Sequence, residues 1–222
     1  MSKEESWFRD EAVFAFFDRL TDDGFFDDFE TIIFYGANAA GYAAAAFSIA
    51  APGATVIALR PQATLDARLT GWDPRYKSDR WQDFTGPYGY APEMIEAASQ
   101  VFIAYDPIQR LDAGHAALFH KPHVTALPCP LLGKEIDRAF DRLGVHDVML
   151  KLAMEGALDG KRFGQLLRAR RYDQTYIRTL VNWLIMNGHV RLAIVICDYM
   201  LHRGQSDFFA DTRGALLSSR KS

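Results

Sequence analysis

Short apolar runs alternate with segments of helical spacing along the amino-terminal part of the chain. Four of these runs are uncharged and rich in β-branched or aromatic residues, which is typical of parallel strands covered on both faces. They lie at residues 31–35, 55–59, 100–105 and 124–127. The pattern therefore predicts a sheet of about four strands.

Helical segments separate the four predicted strands. Apolar residues at positions 7, 8, 12, 13, 16, 17 and 20 have the spacing of an amphipathic helix packed on a sheet. Further helices are predicted at 39–51, 92–99 and 108–119, and a polar, Trp-rich excursion at 60–91. Strands that alternate with helices imply right-handed β-α-β crossovers and a parallel sheet.

From Lys134 onward the strand patterns stop and helical patterns replace them. Helices are predicted at 134–143, 146–157, 161–169, 173–187, 189–203 and 206–218. Gly144, Gly188 and Gly204 fall between them, where helix ends favour glycine. We predict an α/β fold with helices on both faces of the sheet in residues 1–144, followed by an α-helical extension in residues 145–222.

Composition places the chain among ordinary globular proteins. Of its 222 residues 49% are hydrophobic and 24% are charged. No secretory signal opens it, and the uncharged stretch 31–59 is interrupted by Gly36, Gly41 and Pro52, so no membrane span is expected. Cys129 and Cys197 offer no disulfide framework, which favours a reducing cytoplasm.

Charge is unevenly distributed along the chain. Residues 1–112 hold 18 acids and 9 bases, whereas residues 113–222 hold 10 acids and 16 bases. The two halves could dock, or a basic face could meet an acidic partner, but solvated helix surface explains the split equally well. The basic cluster at 161–171 has only Phe163 and Tyr172 nearby, so we interpret it as a solvated helix face and do not expect nucleic-acid binding.

The first predicted strand leads into the run Gly36-Ala37-Asn38-Ala39-Ala40-Gly41 and then into an Ala-rich helix. Small residues in this position let a strand and a helix approach closely through a sharp turn. The residue at the tip of such a turn is commonly forced into positive φ, which Asn tolerates better than most residues. A carboxamide, however, is a poor nucleophile.

In this run the chain resembles the α/β-hydrolase superfamily, whose elbow carries Ser, Asp or Cys where this chain has Asn38. The resemblance covers roughly residues 5–135 and includes Asp106, which ends the third strand where that superfamily often has its acid. The stretches 60–66, 71–73 and 112–119 look like a bacterial hydrolase-like group whose members often bear the name phosphoadenosine phosphosulfate reductase. The Ser-Gly-Gly-Lys-Asp-Ser loop of true reductases is absent, so we do not expect that activity.

The departures from this family indicate a catalytically impaired or non-catalytic protein. The nucleophile position is Asn38, and the histidine expected after the last strand is missing from 130–134. The strands before the elbow and the loop with a second oxyanion donor are also missing, which leaves only the Ala39 N–H. A truncated sheet would have an edge that needs covering by the helical tail or by a second subunit.

A second hypothesis is a weak ester or acyl hydrolase. Asp106 and His115 are nine residues apart, a spacing that permits a carboxylate to orient an imidazole as general base next to Asn38. Alternatively they are a vestigial or ligand-binding pair, or an ordinary helix-start Asp and a partly buried His. His115, His120, His123 and Cys129 lack metal-site spacing, so neither a metal nor another cofactor is expected.

Ligand-binding candidates follow the second strand, where open α/β sheets bind ligands. Arginine and tryptophan side chains can clamp phosphate, sulfate or sugar acids. We predict a site for a small anionic or glycan ligand formed by Ala39, Arg60, Gln62, Trp72, Arg80 and Trp81. The other interpretation is a lid-like loop with its tryptophans as packing anchors. A protein partner or a homo-oligomer could use the helical tail or the sheet edge.

Overall fold

Four parallel strands form the sheet, in the order in which they occur along the chain. The structure is a computed structural model that describes residues 7–204 and 207–219. The strands are β1 (Ile33–Ala37), β2 (Thr55–Leu59), β3 (Gln100–Tyr105) and β4 (Val124–Pro128). The predicted sheet is confirmed. β1 begins two residues later than predicted, because its pairing with β2 starts at Ile33 and Thr55.

The helices lie between and after these strands. Those of the sheet region are α1 (Glu11–Asp22), α2 (Ala39–Ala46), α3 (Ala67–Thr70), α4 (Ala91–Met94), α5 (Arg110–Leu118), α6 (Ile136–Arg142), α7 (His146–Met154) and α8 (Gly160–Leu166). The last three helices are α9 (Gln174–Met186), α10 (Val190–His202) and α11 (Asp207–Ser219). Short 3-10 turns extend α2 and α8. The predicted helix at 92–99 is much shorter, since α4 ends at Met94.

Successive side chains of each strand point to opposite faces of the sheet, and apolar residues form a layer on each face. Phe34, Val56 and Ile103 pack with side chains of α1, α2 and α5. Residues of opposite parity, such as Ile57 and Phe102, pack with α6, α7 and α8. Helices therefore cover both faces, and the polar groups at the ends of the strands are confined to the two rims of the sheet.

The start of α1 differs from the prediction. The amphipathic pattern begins at Trp7, but the helix begins at Glu11. Trp7 and Phe8 have φ values of 49° and 58°, outside the helical region. The Trp7 side chain is 1% exposed and makes an edge-on contact with Tyr76 at 4.9 Å between ring centroids. Burial of this ring accounts for the non-helical start.

The chain forms two compact units, one up to Arg168 and one from Ala169. Helices α6, α7 and α8 share an apolar core with the sheet, so the first unit extends past the boundary predicted at residue 144. In the second unit α9, α10 and α11 pack around Val181, Cys197 and Phe209.

Among residues 7–204 and 207–219, none of the helices has the length and apolar character required to cross a membrane.

Candidate functional site

The turn between β1 and α2, residues 36–41, is the elbow expected from the sequence. Asn38 at its tip has φ 57° and ψ −123°. Its N–H donates to the Leu59 carbonyl at 2.9 Å, and its own carbonyl accepts from the Tyr42 N–H at 3.0 Å. The main chain is thus held on both sides in a conformation that costs most L-residues on the order of 1–3 kcal/mol.

Gly36 and Gly41 allow this turn because strand and helix meet there. A Cβ at Gly36 would lie 2.1 Å from the Ala40 carbonyl oxygen, closer than any real contact. A Cβ at Gly41 would lie 3.1 Å from the Leu59 carbonyl oxygen. Backbone atoms close Gly36 to any larger residue, and at Gly41 a Cβ would make a contact tighter than ordinary packing, so small residues suit both positions.

The side chain of Asn38 brings an amide, rather than a nucleophile, to the tip of the elbow. Its Oδ1 is buried and has no hydrogen-bond partner within the described part of the chain. Ala39, predicted to supply a donor, is the first residue of α2, whose leading N–H groups have no intrahelical acceptor. The elbow therefore presents backbone donors and one unsatisfied amide acceptor.

A second left-handed residue stands next to Asn38 in the sheet. Ala37 and Leu59 are register partners, so Asn38 and Arg60 are the residues that directly follow paired strand ends. Arg60 has φ 51°, and its N–H donates to the Ala104 carbonyl at 2.6 Å. Such values are uncommon for a non-glycine residue and concentrate at functional sites.

Around Arg60 further polar atoms are buried without a full set of partners. The Arg60 Nε is 3.9 Å from Asp112 Oδ2, too far for a hydrogen bond, and neither atom has another partner among the described residues. Gln62 is fully buried, and its Nε2 donates to the Arg60 carbonyl at 3.3 Å. The Gln62 Oε1 has no partner in the described ranges. Each such atom carries a desolvation penalty of about 1–3 kcal/mol.

Residues 61–90, which we call the cover segment, are fastened to α5 by Arg75. Its guanidinium bridges two buried carboxylates, with Nη2 2.7 Å from Asp73 Oδ2 and Nη1 2.5 Å from Asp112 Oδ1. Burial acts to raise the pKa of Asp73, but the Arg75 hydrogen bonds and charge outweigh it and lower the pKa. Asp73 is consequently ionised, and the bridge through Arg75 to Asp112 holds the cover segment against α5.

His115 is a member of this buried network. It is 0% exposed. The Ala63 N–H donates to its Nδ1 at 3.1 Å, so the proton is on Nε2, which donates to Asp73 Oδ2 at 3.1 Å. Burial lowers the pKa of His115, and the Asp73 hydrogen bond offsets only part of that effect. The imidazole is therefore neutral at pH 7.

Asp106 and His115, which the alternative hydrolase hypothesis paired, have other hydrogen-bond partners in the structure. The Asp106 carboxylate accepts hydrogen bonds from the backbone N–H of Ile108 at 3.0 Å and of Gly133 at 2.8 Å. Both ring nitrogens of His115 are engaged elsewhere, by Asp73 and Ala63. Asp106 thus fixes the loop after β4 to the end of β3. Asp106 directly follows β3, as predicted. The carboxylate partner of His115 is Asp73, which lies in the cover segment.

Arg80, Trp72 and Trp81, the other predicted ligand-binding residues, have different surroundings. The Arg80 Nη2 donates to the carbonyls of Thr70 at 2.8 Å and Asp73 at 2.6 Å, so this side chain braces the cover segment. Trp72 packs against His115 with ring centroids 4.7 Å apart while remaining 45% exposed. Trp81 is 73% exposed and is therefore not a packing anchor.

Formal charges balance within the group that Arg75 bridges. Two carboxylates, Asp73 and Asp112, face two guanidiniums, Arg60 and Arg75, and the neighbouring imidazole is neutral. An arginine that is neutralised by a buried carboxylate has less attraction for an anion than a free one. The site consequently offers hydrogen-bonding groups of both kinds with little net charge.

Fold and site together define a class of structure: a parallel α/β protein whose strand-turn-helix elbow carries an amide. Comparison with known proteins gave no match, whether to family models, to curated proteins or to solved structures. The relationship to the α/β-hydrolase superfamily accordingly stays a prediction that rests on the residues quoted above.

Proposed function

We propose that the protein is a non-hydrolytic binding protein that takes a small, neutral, hydroxyl-rich ligand, such as a glycan unit or a polyol, at the carboxyl rim of its sheet. One observation carries the proposal: Asn38 and Arg60, adjacent at the ends of β1 and β2, both have positive φ, and each holds a buried polar atom that no described residue partners. Strain and unsatisfied groups of this kind persist at binding sites because the ligand, not the fold, uses them.

Two features argue against ester or acyl hydrolysis at this elbow. Asn38 offers an amide whose nitrogen lone pair is delocalised, so attack would require a water activated by a base. His115, the general base of the hydrolase hypothesis, is fully buried, and both of its ring nitrogens form hydrogen bonds. A general base must reach the proton that it removes, and this imidazole reaches Asp73 and a backbone amide instead.

The type of unpartnered atom argues for hydroxyl groups in the ligand. The Asn38 Oδ1 and Gln62 Oε1 are acceptors, whereas the Arg60 Nε is a donor. A sugar or polyol hydroxyl both donates and accepts, so a vicinal pair of hydroxyls can serve both kinds of atom. Sulfate could serve only the donor, and either sulfate or phosphate would bring uncompensated negative charge beside Asp112.

Binding to these atoms must be coupled to a movement of the cover segment. The three atoms are inaccessible to solvent in the structure, and Arg75 joins the cover segment to Asp112 on α5. A ligand that reaches Arg60 and Gln62 must therefore displace part of residues 61–90. The exposed ring of Trp81 in this segment offers the flat apolar surface on which sugar rings stack.

Isothermal titration of the purified protein tests the proposal. Suitable probes are glucose, N-acetylglucosamine and myo-inositol, with sulfate and inorganic phosphate as the anionic comparison. Asn38→Gly is the matched variant, because glycine keeps positive φ accessible but removes the amide. We expect saturable heat with at least one neutral probe, and an affinity at least tenfold lower in Asn38→Gly.

Binding of sulfate or phosphate but of none of the neutral probes would contradict the neutral ligand class. A parallel assay with activated short-chain esters addresses catalysis in the wild type, in Asn38→Gly and in His115→Gln. Rates equal to the uncatalysed reaction in all three are expected. Turnover in the wild type that disappears in both variants would overturn the non-hydrolytic function.

A further inference from the structure

The outer edge of β1 has backbone groups that no described residue pairs. The Thr55 N–H donates to the Ile32 carbonyl and the Asn38 N–H donates to the Leu59 carbonyl. Even-numbered residues of this strand therefore direct N–H and C=O toward β2, because direction alternates along a strand. Ile33, Tyr35 and Ala37 direct theirs away from the sheet.

The opposite edge, β4, is protected in the way that natural edges usually are. The Val101 N–H donates to the His123 carbonyl and the Cys129 N–H donates to the Tyr105 carbonyl, so odd-numbered residues of β4 face β3. Pro128 is then outward-facing and has no N–H to offer. A proline at such a position prevents a further strand from adding.

β1 has neither of the two common protections. Its sequence, Ile-Phe-Tyr-Gly-Ala, contains no proline and no charge. Tyr35, at its centre, is 36% exposed, and Phe25 and Phe29 just before the strand are 45% and 51% exposed. An uncharged edge flanked by exposed aromatic rings is suited to another strand.

We infer that β1 pairs with β1 of a second copy of this chain, antiparallel and centred on Tyr35. In that register Ile33 of one copy lies opposite Ala37 of the other, and the two Tyr35 residues face each other. Because these are the residues with outward N–H and C=O groups, all of those groups find partners at once. The two sheets become one continuous sheet, and the interface has the two-fold symmetry of most homodimers.

Charge before the strand favours the antiparallel alignment over a parallel one. In the antiparallel alignment the acidic residues Asp28 and Glu30 do not meet their own counterparts. A parallel alignment would instead place the two Glu30 carboxylates side by side.

The dependence of dimer formation on ionic strength is a further property expected of this interface. Tyr35 lies near Asp141 and Asp137, and burial together with these charges raises its pKa to about 12. The two-fold brings both copies of these carboxylates toward the axis. Added salt screens that repulsion, so association strengthens as ionic strength rises.

Hydrogen exchange and analytical ultracentrifugation over a dilution series test the interface. In the dimer the amides of Ile33, Tyr35 and Ala37 are protected, and dilution removes that protection. The amides of Phe34 and Gly36 bond to β2, so they stay protected in both states and report that the strand is folded. The sedimenting mass falls from twice the chain to one chain over the same dilution.

Variants at both edges complete the test. Tyr35→Pro removes one outward N–H and leaves the β2 hydrogen bonds intact, so it yields a folded monomer. Tyr35→Phe and Ala126→Pro, the latter on the outward side of β4, leave the dimer intact. A wild type that is monomeric at every concentration would overturn the inference. So would a folded Tyr35→Pro that still dimerises, or a monomer with permanent protection at Ile33 and Tyr35.

Discussion

The two ends of the parallel sheet differ in how the chain turns and in what it leaves unpaired. At the amino ends, the turn before β2 contains Gly53, which has a φ of 85°. A Cβ added at Gly53 would have open space around it. The Ser99 N–H there donates to the Ala54 carbonyl at 2.9 Å. At the carboxyl ends Asn38 and Arg60 hold positive φ despite their side chains, and buried polar atoms there lack partners in the described part of the chain.

Two cavities lie at the opposite end of the sheet. A cavity of about 490 Å³ lies beside Phe29 and Glu30, and one of about 380 Å³ lies beside Thr55 and Gln100, both at the amino ends. Neither has the combination of strain and buried unpartnered polar atoms that surrounds Arg60. The binding rim proposed above is therefore the end of the sheet that holds stored strain and unsatisfied polar groups, and not the end that holds these two cavities.

The largest expected difference between the two ends is in their tolerance of an added methyl group. Gly36→Ala places a Cβ 2.1 Å from the Ala40 carbonyl oxygen, so we expect a loss of about 4 kcal/mol or more, among the largest effects of a single substitution. The Cβ of Gly53→Ala meets open space. We therefore expect this variant to lose only the cost of positive φ, about 1–2 kcal/mol of unfolding free energy. Urea unfolding of both variants measures the difference, and equal losses would contradict the close approach at the elbow.

The buried ion pairs provide the next largest effect. Asp73→Ala leaves Arg75 with one carboxylate and His115 without its acceptor, so we expect a loss of roughly 3 kcal/mol. Asp79→Asn, in the same cover segment, is the control and should change stability by less than about 0.5 kcal/mol. Chemical unfolding checks both. A loss below 1 kcal/mol for Asp73→Ala would mean that the network does not hold the cover segment.

Replacing the strained amide should separate stability from binding. Asn38→Gly removes a buried unpartnered oxygen and relieves positive φ, so we expect stability to stay level or rise by about 1 kcal/mol. Affinity for the neutral probes falls at the same time. Urea unfolding measures the stability of Asn38→Gly, and isothermal titration of the same preparation measures its affinity for the probes. A loss of stability would show that the amide is structural.

The smallest expected effect is a pH dependence. Burial lowers the pKa of His115 below its ordinary value of 6.5, so the unfolded chain binds more protons than the folded one as pH falls. The stability linked to His115 is full above pH 6.5 and declines below it. The slope of unfolding free energy between pH 7 and 5 should shrink in His115→Gln. An unchanged slope would place the titrating group elsewhere.

Much of the fold could be predicted from local patterns. β2 and β3 lie at the predicted residues, because uninterrupted apolar runs between turns leave little choice of boundary. The elbow was also predictable, because close approach requires small residues at Gly36 and Gly41 and positive φ suits Asn38. Positions where local sterics dominate are the ones that a sequence specifies on its own.

The partners within the site could not be predicted in this way. His115 meets Asp73 across 42 residues, through a cover segment with no hydrophobic period to place it. Asp106 and His115 are close in sequence, but Ile108 and Gly133 amides take the carboxylate instead. Arg60 was predicted as a ligand-binding residue, but its left-handed backbone gave no signal in the sequence.

The side-chain amide resonances of Asn38 provide the most direct test of the central claim that the elbow binds rather than reacts. We would follow them by NMR during titrations with glucose, N-acetylglucosamine, myo-inositol, phosphate and an activated ester. The account predicts saturable shifts with at least one neutral probe, none with phosphate, and an intact ester. Shifts with phosphate alone, or cleavage of the ester that Asn38→Gly abolishes, would contradict it.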